Sequence, residues 1–364
     1  MGKEKRLMLL AGAIIGIFSV VLVKLGNPVN MGICVACFIR DVAGALGLHK
    51  AEVVQYIRPE ISGFILGAFV ISLGTGEFRA RGGSSPIIRF CFGVFVMIGA
   101  LVFLGCPLRM ILRLANGDLN ALIGLFGFLA GIVVGIQFIK KGFSLGKSYK
   151  QTMANGYILP VIAVSLIVFM LIRPAFINFS ASGPGSQHAP FAIALAVGLA
   201  VGILIQRTRI CTVGGFRDIF LLKDFHLFWG LVGIFGFALI GNIIFNPTAF
   251  RIGFVEQPIA HNDFLWNFLG MFLVGYASVL LGGCPLRQTI LGGEGDTDAA
   301  ITVLGLLVGA AIAHNFGLAA SAKGVPLNGK IAVVIGLLVV TVVAVSNVYS
   351  IVSKNKKERA GADV

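Results

Sequence analysis

The strongest constraint on this chain is the number of its apolar runs. They can be read near 8–25, 61–75, 88–105, 119–139, 157–173, 190–206, 228–245, 265–282, 299–318 and 330–352. A helix needs roughly 20 residues to cross the hydrocarbon of a bilayer, so each run reaches that length or approaches it with help from flanking residues. With 57% hydrophobic and only 12% charged residues among 364, and a mean hydropathy of +0.96, there is too little polar surface to coat a soluble globule. The sequence predicts an all-α polytopic membrane protein of about ten spans. The opening stretch, MGKEKRLMLLAGAIIGIFSVVLVKLG, is as long and apolar as the later spans and shows no small-residue cleavage site. It is expected to be a first membrane helix rather than a removable signal.

The formal charge of +14 raises nucleic acid as a partner, but the basic residues lie in short connections and at the termini, where orientation signals belong. Lys3, Lys5 and Arg6 set the N-terminus inside. Arg79, Arg81 and Arg89, Lys140 to Lys150, Arg207 and Arg209, and Lys354 to Arg359 fall on the same side if ten spans are counted. The loop 174–189 has no lysine or arginine and is expected outside. This pattern fits a cell inner (cytoplasmic) membrane with both termini cytoplasmic, and no nucleic-acid partner. Arg40, Lys50, Arg58, Arg109 and Arg113 fall on the wrong side and require another explanation.

An internal repeat supplies one. GCPLRMILRLANGD begins at Gly105 and GCPLRQTILGGEGD at Gly283, and the cysteines, Cys106 and Cys284, are 178 positions apart. Upstream, Cys34, Arg40 and Asp41 match Cys211, Arg217 and Asp218 at a spacing of 177. Each unit reads span, Cys-x(5)-Arg-Asp segment, two spans, Cys-Pro-Leu-Arg segment, span. Four spans return the chain to its starting side, and the extra span at 157–173 moves the second unit to the opposite side. Two inverted repeats are therefore expected, as in many secondary transporters. The first would occupy 1–150 and the second 190–329, joined by a connecting span and loop at 151–189. A final span and basic cytoplasmic tail would fill 330–364, all within one membrane domain. The segments 28–46, 106–116, 210–222 and 284–292 are too short or too charged to span and read as broken or re-entrant helices, tolerated only against protein or water.

In Gly-Cys-Pro-Leu-Arg, proline suits the first turn of a helix, which places the cysteine at its mouth. Free N–H groups and the positive end of the helix dipole favour an anion there, and the same field polarises a thiol. Charges at this depth are costly. The sets Arg40/Asp41, Arg217/Asp218, Arg109/Asp118 and Arg287/Asp296 either neutralise one another or cap broken helices. Alternatively Arg109 and Arg287 add positive potential beside an anion path. The substrate-path candidates are thus Cys106, Cys211, Cys284 and Cys34 with Arg109, Arg287, Arg217 and Arg40. Cys37 and Cys91 have no repeat counterpart and read as small buried hydrophobes; Cys34 and Cys37 together also admit a redox dithiol reading. His314 reads as a packing histidine or a proton relay, and the other four histidines as loop or interface residues. The 49 glycines fit close helix packing. The sequence has no P-loop, dinucleotide fingerprint, haem signature or metal cluster, so neither an enzyme nor a cofactor is expected. The alternative function class is a membrane thiol enzyme that transfers sulfane sulfur or exchanges disulfides.

Four motifs in order, Cys34-x(5)-Arg40-Asp41, Gly105-Cys106-Pro107-Leu108-Arg109, Arg209-x-Cys211-x(2)-Gly214-Gly215-x-Arg217-Asp218 and Gly283-Cys284-Pro285-Leu286-Arg287, resemble the YeeE/YedE family of inner-membrane sulfur transporters, nearest its YedE-like, selenium-associated branch. The resemblance implies uptake of thiosulfate or a selenium-containing species through an hourglass-shaped body, handed along by cysteine S–H groups. By the same resemblance Cys106, Cys211 and Cys284 are the essential thiols and Cys34 lies near an entrance. The chain has no fused sulfurtransferase domain, so a separate cytosolic carrier of the TusA type is implied as partner.

Overall fold

A computed structural model describes residues 2–362; the side chains of Lys3 and of the tail residues Lys354, Lys356, Lys357 and Arg359 lie outside the described residues. The chain is almost wholly helical. Its long helices are α1 (Lys3–Lys24), α3 (Pro59–Gly74), α4 (Pro86–Phe103), α6 (Asn120–Lys140), α7 (Met153–Ile172), α8 (Phe191–Thr208), α10 (His226–Phe245), α11 (Phe264–Leu281), α13 (Thr297–Asn315) and α14 (Leu327–Ala362). Among the described residues ten helical segments are long and apolar enough to cross a membrane. The protein is an all-α polytopic membrane protein.

Four short helices fall where the sequence breaks: α2 (Val35–Ala45), α5 (Pro107–Leu114), α9 (Thr212–Leu222) and α12 (Pro285–Gly293). Two-residue strands β1 (Arg81–Gly82) and β2 (Tyr149–Lys150) pair antiparallel, with Gly82 opposite Tyr149. This clip ties the loop after α3 to the loop before α7.

Helix pairing follows the glycines. In α1, Gly12 and Gly16 press on the backbone of Gly230 and Ile234 in α10; Gly63 of α3 meets Gly198 of α8, and Phe64 meets Gly202. Gly127, Gly131 and Gly135 of α6 meet Phe268, Phe272 and Val279 of α11 in turn, and α4 and α13 interlock through Gly93, Gly305 and Gly309. Along each pair the contacts advance in the same direction, so all four pairs run parallel. With ten alternating crossings, α1 and α10 are first and seventh, α3 and α8 second and sixth, α4 and α13 third and ninth, α6 and α11 fourth and eighth. Each pair shares parity, which parallel packing requires. The four pairs also exchange roles: α1 packs on α10 as α8 packs on α3, and α6 on α11 as α13 on α4.

Without a hydrophobic difference between lipid and neighbouring helix, close approach is what holds such pairs together. A Cβ on Gly131 would collide with the Phe272 carbonyl, and backbone cannot yield as a side chain can. Gly131→Leu is expected to cost about 1–3 kcal/mol or more by overpacking, read as a lower melting temperature in detergent. Gly74→Leu, where nothing lies within 4 Å, is expected to have little effect.

Candidate functional site: two buried thiol pairs at the mouths of short helices

Each short helix has a cysteine as its N-cap: Cys34 for α2, Cys106 for α5, Cys211 for α9 and Cys284 for α12. The local chemistry differs between the two kinds. Cys34 and Cys211 take extended backbone, and their Sγ atoms accept the N–H of Cys37 and Gly214, each at 3.4 Å. Cys106 and Cys284 precede proline, which removes one donor that a cap would otherwise have to satisfy. Before them α4 closes on Leu104 in the left-handed region (φ 64°) and α11 on Gly282 (φ 83°). Gly105 N–H then donates to Ala100 O at 2.7 Å, and Gly283 N–H to Ser278 O at 3.0 Å. These reverse-turn bonds finish each long helix so that a short one can start immediately. Gly105 and Gly283 also leave the space into which Arg109 and Arg287 fold back: a Cβ there would lie 2.8 Å from Arg109 Cδ or 3.1 Å from Arg287 Cγ.

The four cysteines meet as two pairs. Cys34 Sγ lies 3.8 Å from Cys106 Sγ, and Cys211 Sγ lies 3.6 Å from Cys284 Sγ, with Cys284 N–H also donating to Cys211 Sγ at 3.5 Å. All four are free thiols and buried. In each half, two helix N-termini therefore converge on one pair of sulfurs. Oriented N–H groups and the positive ends of two dipoles add at that point.

The arginines divide into two kinds. Arg40 pairs with Asp41 at 2.7 Å, and Asp41 also takes Arg58 at 2.7 Å. Arg58 reaches the loop between α7 and α8 through Gln187 O (3.0 Å) and Pro184 O (2.7 Å). Arg217 pairs with Asp218 at 2.8 Å. The expected partnerships of Arg109 with Asp118 and of Arg287 with Asp296 do not form. Asp118 is held instead by Arg113 at 2.6 Å, while Asp296 caps α13 and pairs with Arg81 at 2.9 Å. Arg287 takes Glu294, 3.1 Å away, which also binds Arg209. Helical geometry explains the change: residues five to seven apart reach each other across a helix end, whereas the longer spacing carries the aspartate past it.

Arg109 is left without an acid. Fully buried, it donates to Asn30 O (2.7 Å), Ile259 O (3.2 Å), Leu104 O and Cys37 Sγ (3.2 Å). Among the described residues no ion pair includes it. Its charge is spread over carbonyl dipoles and a thiol beside the Cys34–Cys106 pair. Cys37, read from sequence as a filler, thus belongs to this cluster. The available signal was its position three residues after the N-cap, which faces the cap on the same side of the helix.

His49 and His261 stand in loops, as the sequence suggests, but both are buried. His49 is buried, with Nε2 3.1 Å from Arg40 O and Nδ1 accepting the Ala51 N–H; burial holds its imidazole below its usual value. His314 packs against it at a tilt of 31°, with ring centroids 4.5 Å apart. His261 is likewise buried, against Val102 O at 2.7 Å.

At the side of the basic loops, Glu77, Arg79, Arg81, Arg209 and Glu294 line an open recess of about 330 Å³. Arg209 lies two residues before Cys211 and Glu294 one residue past α12, so the recess adjoins the segments that carry the second thiol pair. Glu77 is held by Gln206 (2.7 Å), Arg209 (2.6 Å) and Arg207 (3.0 Å).

The arrangement defines a class: a multi-pass membrane protein with paired thiols at buried half-helix mouths. Residues 207–362 match the family described as sulphur transport. A thiosulfate transporter TsuA of Spirochaeta thermophila is 36% identical over 110 residues, 30% of this chain and 32% of that protein. Its namesake in Escherichia coli is 28% identical over 126 residues, 32% of each. The probable transporter YedE of Salmonella typhimurium is 28% identical over 132 residues, 35% of this chain and 30% of that protein. Over these stretches the chain is similar to proteins of sulphur transport. The aligned stretch spans about a third of the length of each of these curated relatives.

Two outcomes follow from the charges. Removing Arg113 strands Asp118 in a fully buried position, so Arg113→Leu should cost about 3–5 kcal/mol, and adding Asp118→Asn should restore most of the melting temperature. Glu77 is depressed by the Gln206 hydrogen bond first and then by Arg209 and Arg207. A depressed carboxyl contributes stability above its unfolded value and loses it as pH falls through the folded one. Melting followed into the acid range should show that loss, and Glu77→Gln should flatten it.

Proposed function

We propose that the chain is an inner-membrane transporter that takes up a small sulfur-containing anion of the thiosulfate kind, or its selenium counterpart, past the two thiol pairs. The observation that carries this reading is the convergence of helix mouths on Cys34–Cys106 and on Cys211–Cys284, with Arg109 uncompensated beside the first. A soft sulfur or selenium atom suits polarisable thiols, while the oxyanion end suits N–H groups and the guanidinium. Two separate stations of modest affinity favour release as well as uptake.

Cys106, Cys211, Cys284 and Cys34 are assigned to the path in this reading, together with Arg109 as its fixed cation. Arg40 and Arg217, each with an aspartate, hold the short helices, and Arg287 shapes the mouth through Glu294. The exchange of helix partners between the halves supports two inverted repeats, 1–150 and 190–329, with both termini cytoplasmic. A TusA-like carrier on the basic side would receive the cargo.

Uptake of labelled thiosulfate into proteoliposomes should fall by about 100-fold or more in Cys106→Ala, Cys211→Ala and Cys284→Ala, comparable to losing a group essential at each station. Unchanged uptake in all three would remove the thiol path. The sulfur spacings also favour one competing reading, a membrane thiol enzyme. It requires a persulfide or mixed disulfide on these cysteines by mass spectrometry and turnover without net movement of sulfur, and finding only free thiols during uptake would eliminate it.

A further inference from the structure

Away from the thiols lies a cavity of about 460 Å³ whose walls are almost entirely apolar. It opens between α7, the crossing that stands outside both repeats, and the core helices α2, α3 and α13. Ile39 and Val42 of α2, Ile65 of α3 and Val303 of α13 form its inner wall, and Ile158 and Ile162 of α7 its outer one. Only one end is polar. There Gln151 Oε1 accepts from Thr297 Oγ1 (3.0 Å) and Asn155 Nδ2 (3.2 Å).

The dimensions identify the occupant. From Asn155 to Leu166 along α7, and from Thr297 to Leu307 along α13, the lined length is about 15–17 Å at 1.5 Å per residue. That is about half of a 30 Å hydrocarbon core, one leaflet deep. Immediately before Gln151 in the chain stand exposed Tyr149 and Lys150, fixed by the β1–β2 clip, and exposed Lys147 precedes them in the same loop. An aromatic and two lysines at the depth of lipid headgroups attract an anionic headgroup.

We infer that this cavity is a binding site for one acyl chain of an anionic phospholipid, whose phosphate rests at Lys147 and Lys150 and whose chain fills the gap between α7 and α2. The polar amides accept the glycerol region, and the chain replaces the packing that α7 lacks against the inner wall. Because Cys34 caps α2, the lipid buttresses the back of a short helix whose mouth forms the Cys34–Cys106 pair. The inference does not depend on what the thiols carry.

The test is native mass spectrometry of the purified full chain released from nanodiscs of equal phosphatidylglycerol and phosphatidylcholine. One phosphatidylglycerol per chain is expected to be retained. Ala300→Phe and, independently, Ile162→Trp fill the cavity from opposite walls and should lower occupancy by about tenfold or more through lost methylene contacts, at an unchanged melting temperature. Ile162 is half exposed in the cavity wall, so its variant folds even if Ala300→Phe does not. Lys147→Gln with Lys150→Gln should keep one lipid but lose the preference for phosphatidylglycerol. No retained lipid, equal occupancy in the folded wall variants, a headgroup preference that survives loss of both lysines, or a neutral isoprenoid in place of phospholipid would each overturn it.

Discussion

Helix ends within the membrane have no water to satisfy them, and four helices of this protein begin there. An orphan N–H in hydrocarbon is costly, so every short helix needs a partner at its first turn. Cysteine fills that role twice by accepting a backbone N–H and twice by preceding proline, which removes a donor. Serine or aspartate is the commoner N-cap and binds its own backbone more strongly. A thiol is a weak acceptor and stays available to whatever else approaches. The cap that lets the chain break in the bilayer is thereby also the most polarisable group in the core.

The remaining packing serves to bring these breaks together. Parallel helix pairs zipped by glycine bring the mouth of α2 to that of α5 and the mouth of α9 to that of α12, and the charges of the repeats are absorbed locally. Asp41 lies between Arg40 and Arg58, Asp118 takes Arg113, and Glu294 collects Arg209 and Arg287. The two halves are unequal in one respect. In the second, Arg287 is answered by a carboxylate, whereas in the first Arg109 is answered only by carbonyls and the Cys37 thiol. Where Cys37 stands in one half, Gly214 stands in the other, so the two thiol pairs differ in neighbouring charge and in sulfur count.

Much of this was legible beforehand because it is local. The apolar runs place α1, α3, α4 and the later spans within a few residues, since burial in lipid depends on length and composition. The Cys-Pro dipeptides fix the starts of α5 and α12, because proline at the first turn is a property of the backbone. The charge partners of Arg109 and Arg287 were not legible from repeat spacing. Which carboxylate an arginine reaches depends on where a helix ends, and Ala115 and Glu294 end α5 and α12 too early for Asp118 and Asp296 to return. Cys37 was hidden for a related reason: its mate in the other half is glycine, so the repeat carried no sign of it.

By itself the sequence determined the membrane class, the number of crossings, the four breaks and the cysteine at the mouth of α5 and of α12, all governed by hydropathy and backbone chemistry within a dozen residues. Only the tertiary structure decided which thiol meets which. Cys34 finds Cys106 across 72 residues and Cys211 finds Cys284 across 73, because those meetings are set by helix pairs that close over glycine and by turns that end one helix and start the next. Sequence spacing measures distance along the chain, whereas the field at a sulfur depends on which dipoles and cations packing brings within a few ångströms of it.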